Sequence, residues 1–328
     1  MKVLVTGGCG FIGSNFIQTM FHRHGLHRCN DLGNFDIENS DHDFELLNLD
    51  ALTYAANPRN LEEIEKIDGY HFAKVDISNK REVEEAARDF SPDFVIHFAA
   101  ESHVDRSIES GDIFVRTNVL GTQVMLDFAN RHGVKKFVHI STDEVYGSIS
   151  EGSFKETDML YTSNPYSASK GGSDLLAISH FETYGTPVVI TRCTNNFGPG
   201  QHREKLIPKI IHLAKSGERI PVYGDGSNIR DWIYVKDHCM AIIRVLEDGE
   251  LGSVYNIAGS NEITNIDVVE SVLSCLESDV GYTLAPDRPG HDWRYSIDDT
   301  KLRSLGWSPK MSFEKGLEYT VNWYGENL

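Results

Sequence analysis

The sequence predicts an α/β fold in which a doubly wound parallel sheet is followed by a smaller α+β region. Short apolar runs alternate with amphipathic stretches through the first part of the chain, and this alternation weakens after Arg192. Runs of Val, Ile and Phe that are separated by helices are typical of parallel sheets covered on both faces. A glycine-rich turn after the first apolar run adds a ligand-binding feature to that sheet.

The apolar runs predict strands at Lys2–Thr6, Phe44–Leu49, Tyr70–Val75, Asp93–Phe98, Lys136–Ser141 and Pro187–Arg192. Helical patterns lie between most of them, for example at Lys80–Phe90 and Asn118–His132. We expect residues 1–192 to form a ligand-binding domain and residues 193–328 to form mainly a substrate-binding region, parts of which return to the sheet.

One segment, at about residues 22–43, is rich in His, Asn and Asp and shows no clean period. His22, His24 and His27 could in principle bind a metal, but their spacing matches no ligand motif and the nearby carboxylates are dispersed. We interpret the segment as an inserted, solvated loop and expect no metal site.

Composition limits the classes of function. The 328 residues include 49 acidic and 31 basic side chains, a formal net charge of −18, which argues against a general nucleic-acid surface and against docking on anionic lipid. No apolar run approaches the roughly 18 residues that span a membrane, and glycines follow the first six residues, too early for a signal peptide. The five scattered cysteines fit reduced thiols, so we expect a soluble, cytoplasmic protein.

Gly7, Gly10 and Gly13 directly follow the first predicted strand and precede an apolar-periodic helix. A turn without side chains lets the backbone approach a pyrophosphate, and the helix N-terminus supplies N–H groups and a favourable dipole. In this strand–turn–helix context, the glycines indicate a dinucleotide site in a Rossmann-like domain.

A ribose-binding acid is expected at the end of the second strand. Asp31 and Asp36 have the usual spacing, but Asp50 follows a strand-like run and is preferred. A carboxylate there would repel a 2′-phosphate, so NAD is expected rather than NADP. Asp76, after the third strand, is expected either to contact the adenine side or to cap the next helix.

Tyr166 and Lys170 begin a segment rich in Ala, Ser and Leu, directly after Pro165, as a helix start would. Four residues apart, they share one helix face. We expect the lysine ammonium to lower the pKa of the phenol, so that Tyr166 can take a hydroxyl proton during hydride transfer.

Thr142, Asp143 and Glu144 follow the fifth predicted strand, at the edge where parallel sheets bind ligands. Two neighbouring carboxyl groups can act as acid and base if their environments separate their pKa values. A turn that merely caps a helix is the alternative interpretation of this stretch.

Longer motifs give the chain a resemblance to a known family. They are TGGCGFIG at 6–13, DALTY at 50–54, HFAAESHVDRS at 97–107, STDEVYG at 141–147, YSASK at 166–170, NNFGP at 195–199, KLIP at 205–208, RDW at 230–232 and RPGH at 288–291. With them the chain resembles the extended short-chain dehydrogenase/reductases, and within these the nucleotide-sugar 4,6-dehydratases. The insertion at about 22–43 departs from the family's compact β–α–β unit.

The resemblance implies an NAD-dependent hydro-lyase that acts on dTDP-glucose, with UDP-glucose dehydration or 4-epimerisation as alternatives. It implies that Tyr166, assisted by Lys170, takes the 4-hydroxyl proton while Thr142 bonds the same oxygen. Glu144 would then remove the C5 proton, and a protonated Asp143 would protonate the departing 6-hydroxyl. A non-catalytic NAD-binding protein is disfavoured because all these side chains are present.

The resemblance also implies a homodimer and two sets of binding residues. Around NAD it places Gly7, Gly10, Phe11, Ile12, Gly13, Asp50, Thr53, Asp76, Ile77, Ala99, Ala100, Thr117, Tyr166, Lys170 and Asn196. Around the sugar nucleotide it places Ser102, Asn195, Lys205, Leu206, Tyr223, Arg230, Asn265, Arg288 and His291. Arg230 and Arg288 are expected to hold the diphosphate, because a guanidinium fork matches phosphate oxygens.

Overall fold

The computed structural model describes residues 1–27, 44–287 and 290–327. Its strands are β1 (Lys2–Thr6), β2 (Glu45–Asp50), β3 (Tyr70–Lys74), β4 (Phe94–His97), β5 (Lys136–Thr142), β6 (Val188–Cys193), β7 (Asn195–Phe197), β8 (Ile220–Tyr223), β9 (Ile229–Tyr234), β10 (Val254–Ile257), β11 (Glu262–Thr264) and β12 (Tyr282–Ala285).

The α-helices are α1 (Phe11–Arg23), α2 (Lys80–Ala87), α3 (Val104–Glu109), α4 (Asp112–Phe114), α5 (Thr122–His132), α6 (Pro165–Tyr184), α7 (Leu206–Lys215), α8 (Val235–Asp248), α9 (Asn265–Cys275), α10 (Thr300–Arg303) and α11 (Phe313–Asn327). A π-helical segment, Val115–Gly121, joins α4 to α5, and short 3₁₀ turns occupy Pro58–Leu61, Ile64–Lys66 and Asp143–Tyr146. Within the described ranges, no helix is both long enough and apolar enough to cross a membrane.

The central sheet of the described chain has seven parallel strands in the order β10-β6-β5-β4-β1-β2-β3. From β1 the chain adds β2 and β3 on one side, and from β4 it adds β5 and β6 on the other. The strand order therefore reverses between β1 and β4, and open sheets of this kind bind ligands beyond the carboxyl ends of the strands at that reversal. The predicted doubly wound parallel sheet is confirmed.

Each of the six predicted strands is present, with ends that differ from the prediction by at most one residue. The seventh strand, β10, comes from the second half of the chain and pairs with β6. Its four residues are too short a run, and include the polar Asn256, so no periodicity distinguishes them.

Alternate residues of the strands point to opposite faces of the sheet, and both faces are covered. Val3 and Val5 pack with α1 and α8 in one apolar cluster, whereas Leu4 packs with α5 and α6 in another. This two-sided burial explains why β1 is apolar at consecutive positions.

Residues after β6 build most of a second lobe. β11, β9 and β7 form one small sheet, and β12 pairs with β8 in another. Helices α7, α9 and α11 cover them around Phe197, Trp232 and Phe313, whose rings contact one another. The chain also returns to the central sheet through α8 and β10, so residue 193 does not separate two independent parts.

Two local expectations differ from the structure. The sequence predicts an insertion from about residue 22, but His22 is a buried residue in the last turn of α1, and residues 28–43 lie outside the described part. The helix expected at Asn118–His132 begins as the π segment and is α-helical only from Thr122. Within the described residues, no group of three His, Cys, Asp or Glu side chains is placed to hold a metal.

Candidate active site

Two adjoining cavities lie beside the carboxyl ends of the central strands. The first, of about 360 Å³, lies against β1, β2, β4 and β5 and is called the sheet cavity. The second, of about 210 Å³, lies against α7, β8 and β9 and is called the lobe cavity. Both are lined by Ser102, Glu144, Asn195, Glu204 and Lys205. A long ligand could therefore run from one cavity into the other.

The glycine turn forms one wall of the sheet cavity. Gly7 has φ +72°, and a Cβ on it would lie 2.7 Å from the backbone of Ala99. A Cβ on Gly13 would lie 2.3 Å from the carbonyl oxygen of Gly7. Helix α1 starts behind this turn with Gly10 as its N-cap, and no side chain caps its first N–H groups. The turn therefore leaves backbone donors for an anionic ligand.

Asp50 ends β2 and lies at the rim of the same cavity. Its Oδ2 accepts a hydrogen bond from the backbone N–H of Cys9 at 2.8 Å, and its Oδ1 accepts one from Leu52 at 2.8 Å. Burial raises the pKa of this carboxyl group, while the two backbone donors oppose that rise. The two bonds fix the carboxylate beside the glycine turn, where a ribose acceptor is needed.

Asp76 also lines the sheet cavity, after β3. Its Oδ1 accepts hydrogen bonds from the backbone N–H and hydroxyl of Ser78, and the Arg116 guanidinium is 3.5 Å from its Oδ2. The alternative that Asp76 caps the next helix is wrong, because Asn79 caps α2.

The structure brings the predicted site residues together. Every residue of the predicted NAD set lines the sheet cavity, and so do Thr142, Asp143 and Glu144. The lobe cavity is lined by the described members of the sugar-nucleotide set: Ser102, Asn195, Lys205, Leu206, Tyr223, Arg230, Asn265 and His291. Arg288 lies outside the described residues.

Thr142 and the two acids occupy the end of β5 and the 3₁₀ turn after it. The Thr142 hydroxyl donates to Asp143 Oδ1 at 3.2 Å and accepts from the backbone N–H of Glu144 at 3.3 Å. The stretch is therefore a capped turn that also faces a cavity. The interpretation as a capping turn and the interpretation as an acid–base pair are thus compatible.

Asp143 is buried, and its Oδ2 has no hydrogen-bond partner within the described chain. Its pKa lies well above the ordinary value, first because of burial and then because of the negative charge of Glu144. A carboxyl group in this state holds its proton at neutral pH and can donate it. The half-buried Glu144 beside it lines both cavities.

Tyr166 and Lys170 lie in the first turns of α6. A capping box fixes the start of this helix: Asn164 Oδ1 accepts from the backbone N–H of Ser167 at 2.9 Å, and Ser167 Oγ accepts from Asn164 N–H at 3.2 Å. Both functional side chains are buried and line the sheet cavity. The Lys170 ammonium donates to the carbonyl oxygen of Ile140 in β5 at 2.7 Å.

The expected effect of Lys170 on the phenol is wrong for this structure. The pKa of Tyr166 is raised, chiefly by burial and then by the negative charge of Glu144, and a hydrogen bond with Thr142 opposes the rise. Burial lowers the pKa of Lys170 to about 8. The tyrosine is therefore a neutral phenol, and the ammonium group is directed to a strand carbonyl.

Arg230 is the buried cation of the lobe cavity. Its Nη1 donates to the carbonyl oxygens of Ile229 at 2.7 Å and Trp293 at 3.3 Å, and its Nη2 donates to that of Asp292 at 2.9 Å. The guanidinium also lies 4.2 Å from the centre of the Tyr295 ring. Since these contacts are with neutral groups, the charge remains available to an anion.

The sequence interpretation missed several lining residues, among them Glu101, Cys193, Glu204 and Tyr295. Glu101 had a usable signal, because it follows β4 at the binding edge of the sheet. Its backbone is held by Asn118 of the π segment through bonds of 2.8 and 2.9 Å. Tyr295 carried no local signal, since the chain brings it to the lobe cavity from a distant loop.

Comparisons with known proteins agree with this geometry. A family model described as GDP-mannose 4,6 dehydratase matches residues 4–320. The low-salt glycan biosynthesis protein Agl12 of Haloferax volcanii is 48% identical over 325 residues, which cover 99% of this chain and 98% of Agl12. A dTDP-glucose 4,6-dehydratase of Streptomyces niveus is 46% identical over 329 residues, covering 100% of this chain and 94% of the relative.

A solved structure extends the similarity to three dimensions. DesIV, a dTDP-glucose 4,6-dehydratase of Streptomyces venezuelae crystallised with NAD bound, matches this fold with a TM-score of 0.91 and 44% sequence identity. The match covers 100% of this chain and 98% of DesIV.

Proposed function

Because the chain belongs to the GDP-mannose 4,6 dehydratase family of extended short-chain dehydrogenase/reductases, we propose that it is an NAD-dependent hydro-lyase that converts dTDP-glucose to dTDP-4-keto-6-deoxyglucose. The observation that carries the proposal is a buried Asp143 with a raised pKa beside Glu144, in the same cavity as Tyr166 and Lys170. This cavity therefore holds both the residues proposed for oxidation at C4, Tyr166 and Lys170, and the residues proposed for elimination of water, Asp143 and Glu144.

The residues of the sheet cavity fit NAD. A Cβ on Gly7 or Gly13 would collide with the backbone of Ala99 or of Gly7, so glycine at these positions permits the tight turn that a pyrophosphate can approach, and Asp50 presents a fixed carboxylate to a ribose. When bound there, NAD supplies the acceptor and donor of hydride for C4 and C6 of the sugar.

Tyr166 is the proposed base for the 4-hydroxyl proton. Its phenol is neutral in this structure, so it must first lose its own proton to solvent before it can take one from the substrate. The Thr142 hydroxyl, which bonds the phenol, would stabilise the resulting phenolate, and the Lys170 ammonium in the same cavity would do so if it turned from the Ile140 carbonyl. Thr142 is also placed to hold the substrate oxygen during this transfer.

Glu144 and Asp143 are the proposed elimination pair. A 4-ketone acidifies the hydrogen on C5, which Glu144 would remove as a base. Asp143 would give its proton to the 6-hydroxyl group, which leaves as water. Adjacent carboxyl groups can divide these roles here because burial keeps Asp143 protonated.

The lobe cavity is the proposed sugar-nucleotide site. Arg230 would bind the diphosphate. The Lys205 ammonium donates to the Ser102 carbonyl at 2.7 Å and so links the two lobes where the two cavities meet. The relatives that act on dTDP-glucose favour that nucleotide over UDP-glucose.

The main alternative is 4-epimerisation, which needs Tyr166 and NAD but no acidic pair. Incubation of the purified protein with dTDP-glucose and, separately, UDP-glucose tests the proposal by the formation of a 4-keto-6-deoxy sugar. We expect product from dTDP-glucose and none from the Asp143→Asn/Glu144→Gln double variant. Galactose epimers, or a double variant with full activity, would contradict the proposal.

We also propose that the protein acts as a homodimer in the cytoplasm. Next to the well-packed α6, Val115 and Leu120 of the π segment are 57% and 48% exposed, and Leu175 of α6 is 60% exposed. Exposed apolar side chains on neighbouring helices suit a second copy. The scattered thiols of Cys9, Cys193, Cys239 and Cys275 suit a reducing compartment. Light scattering should give twice the chain mass, and a Leu120→Glu/Leu175→Glu variant should give one chain mass.

A further inference from the structure

The Asp292 carboxylate closes a turn of the chain that lies beside Arg230. Its Oδ2 accepts a hydrogen bond from the Tyr295 hydroxyl at 2.5 Å and a second one from the Ser163 hydroxyl at 2.5 Å. Asp292 and Tyr295 are 8% and 3% exposed, so the turn is buried at both ends. One carboxylate oxygen therefore closes the turn from residue 292 to residue 295 and joins it to the loop that precedes α6.

This turn, residues 292–295, provides carbonyl oxygens and an aromatic ring to the Arg230 guanidinium. Arg230 Nη2 donates to the carbonyl oxygen of Asp292 at 2.9 Å, and Nη1 donates to that of Trp293 at 3.3 Å. The Tyr295 ring lies 4.2 Å from the guanidinium carbon. Strand β9 holds the middle of the turn, because the Ile229 N–H donates to the Trp293 carbonyl at 2.9 Å. The carboxylate of Asp292 adds a bond to the ring that lies against Arg230.

The bond to Ser163 fixes the turn against the first lobe. Gly290, two residues before Asp292, has φ +66°, and a Cβ on it would lie 3.1 Å from the Ser163 carbonyl oxygen. Tyr166 comes three residues after Ser163, at the start of α6. Asp292 thus connects the surroundings of Arg230 with the helix that carries the proposed base.

The Asp292 side chain lines neither cavity, whereas Arg230 and Tyr295 line the lobe cavity. A negative charge near that cavity opposes the binding of a diphosphate by simple electrostatics. Any favourable effect of Asp292 on substrate binding must therefore pass through the residues that it holds.

We propose that Asp292 is a positioning residue for the sugar nucleotide: by holding the turn at residues 292–295, it keeps the Arg230 guanidinium in place for the diphosphate. This inference rests on the proposed function, in which Arg230 binds that group. It assigns a favourable role in anion binding to an acidic side chain that touches neither substrate nor cofactor.

The affinity of the NAD-loaded protein for dTDP, measured by calorimetry, tests the proposal. The comparison uses the unaltered protein, Asp292→Ala, Arg230→Gln and the double variant. With Arg230 present, we expect Asp292→Ala to weaken the binding of dTDP by about tenfold. With Arg230→Gln, the same change should weaken it no further, because two residues that act through one contact are not additive. Loss of the negative charge alone would strengthen binding, so the sign of the change separates positioning from electrostatics.

Asp298→Ala is the matched control. Asp298 also accepts a backbone N–H within this part of the chain, from Thr300 at 2.8 Å, and it lines neither cavity. Its variant should bind dTDP as the unaltered protein does. Unchanged or tighter binding in Asp292→Ala, an equal loss in the control, or an equal loss with and without Arg230 would overturn the proposal.

If Asp292→Ala does not fold, Asp292→Asn takes its place in the same comparison. The amide keeps the size of the side chain but binds the two hydroxyl groups less strongly than a carboxylate. We expect a loss of about threefold that again requires Arg230. No loss with Arg230 present, or the same loss without it, would overturn the proposal. Absence of any keto sugar from the unaltered protein would instead refute the proposed function.

Discussion

The Tyr54 hydroxyl donates a hydrogen bond to Glu204 Oε1 at 3.0 Å and so joins two residues that are 150 positions apart. Tyr54 follows β2, whereas Glu204 precedes α7 of the second lobe. The Arg106 guanidinium lies 3.7 Å from the centre of the Tyr54 ring and 3.4 Å from the Glu204 carboxylate. His103 and His202 are each 3.7 Å from the same carboxylate. Glu204 therefore connects the sheet and the second lobe at the edge of the sheet cavity.

Glu204→Gln should speed the release of NAD from this cavity. The change removes the charge that holds Arg106 and weakens the bond from Tyr54, a loss of about 1.5 kcal/mol or roughly tenfold in the dissociation rate. Stopped-flow fluorescence of bound NADH, the fluorescent reduced form of the dinucleotide, measures it. Glu84→Gln is the matched control, because Glu84 also binds an Arg and a His but lines neither cavity. Equal rates in the two variants would show that Glu204 does not retain the cofactor.

Asp143→Asn should change the pH dependence of stability as well as activity. The folded protein raises the pKa of Asp143 above 3.8, so this group favours folding at acid pH, and that contribution is lost as the pH rises through the raised pKa. Asn does not titrate. The stability of the variant should therefore rise relative to that of the unaltered protein as the pH increases from about 3.8 through the raised pKa of Asp143, measured by thermal unfolding across that range.

The same Asp143→Asn substitution should lower kcat by about 10²–10⁴-fold, because general acid catalysis contributes that much. We compare the stability of the variant with that of the unaltered protein at each pH. If this difference moved against the variant as the pH rises from acid to neutral, the protonated state of Asp143 would be contradicted. A kcat close to that of the unaltered protein would contradict its role as the acid.

Glu144→Gln should prevent exchange of the C5 hydrogen with solvent. The amide cannot accept the C5 proton, so incorporation of deuterium at C5 from D₂O should fall by about 10²-fold or more, as read by NMR of recovered sugar. Binding of the substrate should change little. Glu156→Gln is a suitable control, since Glu156 lines neither cavity. If the Glu144 variant still exchanged the C5 hydrogen, a residue other than Glu144 would be the base.

Arg230→Gln should weaken substrate binding by about ten- to a hundredfold, because a charge-assisted bond to the diphosphate is worth about 1.5–3 kcal/mol. The expected effect is on KM and on the affinity for dTDP, measured by calorimetry, with a smaller effect on kcat. Arg81→Gln controls for the loss of one positive charge, because Arg81 pairs with Glu85 on the exposed face of α2. Unchanged affinity for dTDP would place the diphosphate away from Arg230.

Much of the sheet and the sheet cavity could be predicted from the sequence because their signals are local. Buried parallel strands are largely apolar at consecutive positions. Gly7 follows such a run, and Asp50 and Thr142 end such runs. Helical spacing after Pro165 predicts that Tyr166 and Lys170 share one face of a helix.

What could not be predicted depends on contacts between distant segments. The pKa of Tyr166 reflects burial and Glu144 rather than its helical neighbour. Glu204 gains its place at the edge of the sheet cavity from Tyr54, 150 positions away, so no window of sequence contains that pair. β10 is too short for its pattern to show which sheet it joins.

The position of β10 also constrains how the protein can be made. Because this strand completes the edge of the central sheet beside β6, the sheet of a chain under synthesis stays one strand short until residue 257 has left the ribosome. By then β7, β8 and β9 of the second lobe have already emerged. Segments of the second lobe are therefore outside the ribosome while the central sheet is still incomplete, and a fragment cut after residue 192 would leave the edge of β6 exposed to pairing with other chains.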